Sequence, residues 1–200
     1  MSSSRRYHRP AFRDPAVLEE MGEGSDPIAE LHAAHETAAV LVHAGHATDD
    51  EAVTARLVAL VDEIGLPTLA DLWAGRPARS LPGALWRLYV LREWVQGDPD
   101  GAAREYAAGV RFTEPNHAVA GVEPPGPEEI KRVADAILRG AFTGDVAIAF
   151  ERAAAFCHVV SSGRADLADG RAGVLQAVRL QDMARDLAAC AALWRSGDLA

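Results

Sequence analysis

Histidine has the widest chemical range of any side chain at neutral pH. Five of the seven histidines in this 200-residue chain fall at positions 8, 32, 35, 43 and 46. Four of these share one expected helix. With His32 set at 0°, a turn of about 100° per residue puts His35 near 300°, Glu36 near 40°, His43 near 20° and His46 near 320°. The five side chains lie within an arc of roughly 100°. They border the apolar stripe of Leu31, Ala34, Ala38, Leu41 and Val42.

Neutral imidazole is a common metal ligand, and a pair at i, i+3 can grip one ion. His32 and His35 with Glu36 form one such group, and His43 with His46 forms another. The groups repeat at eleven residues, a rise of about 16 Å. Metal–ligand bonds are about 2 Å long, so one ion cannot hold both pairs. A transition metal here needs two sites, or one pair completed by His117, His158 or an acid from elsewhere. A single histidine suffices for haem. One alternative is a row of hydrogen-bonded polar residues at a helix–helix or subunit boundary. Another is a pH-responsive contact. Two known patterns are incomplete. His35-Glu36 opens like the zincin helix, but position 39 is alanine. The di-iron pattern needs an acid three residues before each histidine, and histidine stands there instead.

Other constellations carry less. Gly22-Glu23-Gly24 lacks a third glycine and follows no strand. The only lysine, Lys131, has no phosphate loop before it. Cys157 and His158 are adjacent, and neighbours on a helix point about 100° apart, which separates a nucleophile from its base. Glu114, Asn116 and His117 sit in a polar, proline-containing stretch of the kind that often carries function.

The elements that must position these residues are helices. Ser25-Asp26-Pro27 starts one that runs to about Ala47. Thr48 caps a second, in which Val53, Leu57, Leu60, Val61 and Ile64 keep helical spacing as far as Gly65. A short helix is expected at about 68–74, then one from Ser80 to Gln96 that is apolar on nearly every side. Such a helix is buried centrally or lies in an interface. Another short one covers 99–110. Glu128–Phe142 is amphipathic, Gly144-Asp145 introduces a very apolar helix to about Ser161, and the last runs from about Arg171 to Arg195. No two-residue alternation rich in β-branched and aromatic residues occurs. The expectation is an all-α helical bundle of seven to nine helices, with mostly antiparallel neighbours and no significant sheet. Residues 1–24 read as a flexible arm, 25–112 as an N-terminal helical part and 113–127 as a Pro-rich loop or linker. Residues 128–200 read as a C-terminal helical part packed with the first as one domain.

Composition narrows the function. The net charge is -9, with 29 acids against 20 bases. That opposes general nucleic-acid binding. Segment 58–73 has a helix-turn-helix outline, yet residues 25–65 hold eight acids and one base, which repels phosphate. The longest apolar run, Ala153–Gly163, has eleven residues, against about 20 for a membrane span. Two cysteines in apolar helices and no apolar leader after Arg5-Arg6 place the chain in the cytoplasm. The apolar helices call for a protein partner and a homodimer, with Trp86, Tyr89, Trp94 and Trp194 as candidate interface residues. The reading is a non-catalytic regulatory or structural module that binds protein and needs no cofactor. The alternatives are a metal- or haem-binding protein and a DNA-binding regulator.

Overall fold

The computed structural model describes residues 26–112 and 125–199. The N-terminal arm, Gly22-Glu23-Gly24, and Glu114, Asn116 and His117 of the Pro-rich stretch lie outside the described residues. Nine helices and no strand occur among those described: α1 (Pro27–His46), α2 (Glu51–Val58), α3 (Leu60–Ile64), α4 (Leu66–Trp73), α5 (Leu81–Gly97), α6 (Pro99–Val110), α7 (Pro127–Thr143), α8 (Val146–Leu167) and α9 (Arg171–Ser196). The class is all-α, as the hydrophobic spacing requires.

Short polar residues start most of these helices by accepting an orphan backbone N–H. Asp26 accepts from Ile28, Ser80 from Gly83, Asp98 from Gly101 and Asp145 from Ala147. The second helix departs from expectation at this point. Its cap is Asp50, which accepts from Ala52, while Thr48 accepts from the Asp50 N–H one step earlier.

A larger departure follows. The single helix expected through Ile64 is two, broken at Ala59, where ψ reaches 14°. No glycine or proline marks the bend. The tertiary partners impose it, because α2 packs on α7 while α3 packs on α4. The next helix begins at Leu66, with Pro67 in its first turn, two residues earlier than its spacing indicates.

Helices from both sides of the Pro-rich stretch share one buried cluster. α7 is its hub and touches α1, α2, α5, α6 and α8. α8 and α9 form an antiparallel hairpin, with α6 on the other side of α8. The backbones of α6 and α8 come together at Gly109 and Gly163, where a Cβ on either residue would overlap a carbonyl oxygen of the other helix. No described helix is long and apolar enough to cross a membrane.

Candidate interaction groove

α1 carries more apolar surface than one core stripe needs. Ala34, Ala38, Val42 and Gly45 are buried, and α1 packs on α7 and α5. A second stripe, Ala33, Thr37, Val40 and Leu41, runs beside the first at helical spacing and faces α3 and α4. Between them is an open groove of about 410 Å³. Leu69 and the fully buried Trp73 form its floor, and Leu60 and Ile64 form its far wall. The Trp73 indole N–H donates to the Thr37 hydroxyl at 3.2 Å, and that hydroxyl donates to the Ala33 carbonyl. The floor is thereby tied to α1. Val40 is 58% exposed and Ile64 39%, high for apolar residues flanking one hollow. Glu36 is the one charged residue in the lining. Residues 26–73 hold nine acids and one base, Arg56. Glu30, Glu51, Asp62 and Glu63 pair with Arg76, Arg139, Arg92 and Arg56, which leaves five acids, Glu36 and Asp71 among them, outside these ion pairs.

The groove depends on the bend at Ala59. A straight helix through Ile64 would not turn Leu60 and Ile64 toward α1. The spacing along α1 was visible in the sequence, since Ala33, Thr37 and Val40 recur at i, i+4 and i+7. The partner wall was not.

The histidine stripe stands on another side of α1. His32, His43 and His46 are exposed and His35 is half-buried, with Glu36 exposed on the groove side. His46 lines a polar cleft of about 360 Å³ with Asp49, Glu51, Thr54 and Arg139, where Arg139 pairs with Glu51 at 3.3 Å. Among the described residues no three His, Cys, Asp or Glu side chains form a group able to hold a metal ion. No described buried polar side-chain atom lacks a partner, so no orphaned group marks a ligand's place.

One of the aromatic residues expected at an interface is packed inward. Tyr89 is fully buried, its hydroxyl donates to the Leu57 carbonyl at 2.6 Å, and its ring lies 6.2 Å from that of Trp73. This corrects its placement: α5 is apolar all round because α1, α4, α6, α7 and α9 surround it within one chain. Trp94 lies under the Arg164 guanidinium, 4.8 Å from ring centroid to charge, and Trp86 and Trp194 are half-buried against the core. The helix-turn-helix outline of segment 58–73 falls on α3 and α4. Its second helix, α4, has eight residues, buries Leu69 and Trp73, and exposes Asp71 but no base.

Cys157 is buried and contacts the Met183 sulfur at 3.8 Å, whereas His158 faces the groove between α8 and α9. The two do not form a nucleophile–base pair. Burial pushes the Cys157 thiol up from 9.0 to about 12 and the Cys190 thiol to about 11. Both therefore stay protonated in the fold where the unfolded chain has begun to lose its protons. Their contribution to stability is complete below 9.0 and drains as pH rises toward about 11 and 12. Neither thiol should react with a disulfide reagent at about pH 8 until the chain unfolds, because the thiolate is the nucleophile. Absorbance of the released thiolate, with and without denaturant, checks this.

No protein-family model matches the chain, and neither a curated protein nor a solved structure does.

Proposed function

We propose that this protein is a non-catalytic binding module whose α1/α3/α4 groove takes an amphipathic, basic helical segment of a partner protein. One observation carries this reading. The groove is an open apolar trough set in the most acidic stretch of the chain. Apolar surface of this kind, rimmed by polar residues, is characteristic of a docking site. A helix laid into such a trough inserts residues at i, i+3, i+4 and i+7. Val40 and Ile64 would pack against those anchors, with Trp73 and Leu69 beneath. The surrounding acids favour lysine and arginine on the partner's outer face. They speed encounter more than they deepen affinity, and salt weakens that contribution.

The probe is a synthetic helix with leucines at that spacing and lysines on the opposite face, dye-labelled and followed by anisotropy. The expected result is saturable binding that Val40→Asp weakens at least tenfold, because the carboxylate would be desolvated against the anchor. A version with glutamates in place of lysines should bind more weakly at low salt. Absence of binding, or binding that Val40→Asp leaves unchanged, overturns the assignment. Val40 is exposed, so the substitution spares the core.

A further inference from the structure

The outer seam between α8 and α9 is a second, separate surface. α9 packs along α8 and makes only a small further contact, with α5. Two hollows follow one another on the solvent side of this hairpin. The larger, about 460 Å³, has Ala154, Ala155, Ala184 and Ala188 in its walls, beside Glu151, His158, Gln181 and Arg185. The smaller, about 240 Å³, is flanked by Val174 and Val178. These valines are 47% and 49% exposed and stand as a ridge at one end of the seam. Gln181 lines both hollows and marks the point between ridge and hole.

The positions along α9 are symmetric about that point. Val174 and Ala188 are centred on 181, and so are Val178 and Ala184. On α8, Ala155 and Ser162 are centred between His158 and Val159, and both line the same seam. A surface with a ridge at one end and a matching hole at the other is complementary to itself turned end over end. That is the requirement of an isologous two-fold interface.

We infer that this seam joins two copies of the chain in an antiparallel dimer whose two-fold axis passes beside Gln181. Val178 of each copy sits over Ala184 of the other, and Val174 sits over Ala188. Each ridge fills the other copy's larger hollow, about 10 Å from the axis along α9. A parallel pairing would set hollow against hollow and leave both empty. Charge does not oppose closure. Of the charged residues lining the larger hollow, Glu151 is already paired with Arg195 and Arg185 with Asp182. The size is also adequate. The 22 residues of α8 span about 33 Å, and two adjacent helices are roughly 20 Å wide, a footprint of roughly 660 Å². A standard interface buries ~800 Å² of accessible surface per partner, so the dimer must close over most of this face.

Sedimentation velocity on the full chain, with cysteine crosslinking, tests the arrangement. The expected result is a dimer at tens of micromolar. Val178→Asp and Ala188→Arg should each raise its dissociation constant at least tenfold, with unchanged circular dichroism. Both sites are exposed, so folding is preserved. Gln181→Cys should crosslink to itself with a short bis-maleimide. Val174→Cys should crosslink to Ala188→Cys in a mixture, but not to itself. The native cysteines are buried and give no background. A monomer throughout, a dimer that survives both surface substitutions, or self-crosslinking of Val174→Cys would each overturn the inference.

Discussion

Gly163→Ala lowers the melting temperature by about 6 °C or more. The added Cβ would overlap the Glu105 carbonyl oxygen and stand 2.6 Å from the Gly109 nitrogen. Both obstacles are backbone, so no side chain can swing aside. Relief requires α6 to move off α8. That movement disturbs the Tyr106–Phe156 stack, whose centroids are 5.6 Å apart, and the Arg164–Glu105 pair at 2.7 Å. Overpacking typically costs 1–3 kcal/mol, and this site belongs at about 3 kcal/mol because two backbones are involved. Each kcal/mol moves the midpoint of a chain this long by about 2–4 °C. Gly140→Ala is the control. Its Cβ would lie 3.5 Å from the Ala149 Cβ, an ordinary contact. Replacing a mid-helix glycine there should stabilise by about 0.5–1 kcal/mol. Thermal unfolding followed by circular dichroism reads both. Equal midpoints for the two variants would show that α6 and α8 are not in backbone contact.

Trp73→Ala is expected to cost about 3–5 kcal/mol, the range for deleting a large buried aromatic side chain. Trp73 is fully buried, touches the Tyr89 ring and joins α4 to α1 through Thr37. The same substitution removes the groove floor, so the probe helix should also lose affinity. Trp73→Phe separates the two effects. It keeps most of the apolar volume and loses one hydrogen bond, worth about 1 kcal/mol. The Thr37 hydroxyl keeps its bond to the Ala33 carbonyl, so no polar atom is orphaned. The phenylalanine variant should therefore bind the probe nearly as well as the parent. If both variants bind equally while differing in stability, the groove is not where the probe docks. Denaturant melts and anisotropy titrations on the same preparations make the comparison.

Much of the architecture was legible in the residues. The spacing of Ile130, Val133, Ala134, Ile137 and Leu138 marks the inward face of α7; Val133 is half-buried and the other four are buried. Asp26, Ser80, Asp98 and Asp145 mark four helix starts because a short side chain beside a helix end has one dominant use. The end of α9 follows from Gly197, which takes a left-handed conformation with φ 78°, whereas α5 runs through Gly97 and ends at Asp98. All these signals act within a few residues of chain, where covalent geometry limits the options.

The groove, the seam and the fate of the aromatic residues were settled elsewhere. Tyr89 on an all-apolar helix is equally suited to a core and to an interface, since both remove it from water. Only the arrival of α1, α4, α7 and α9 around α5 decides between them. The bend at Ala59 has no local cause, and without it Leu60 and Ile64 would not wall the groove. The histidines of α1 were the most prominent feature of the sequence, yet spacing along one helix cannot supply ligands from another. What the chain determines by itself is which surfaces of each helix are apolar. Which of those surfaces meet, and which stay open to solvent for a partner, is decided by tertiary packing, because burial is non-directional and is satisfied by whichever apolar face arrives.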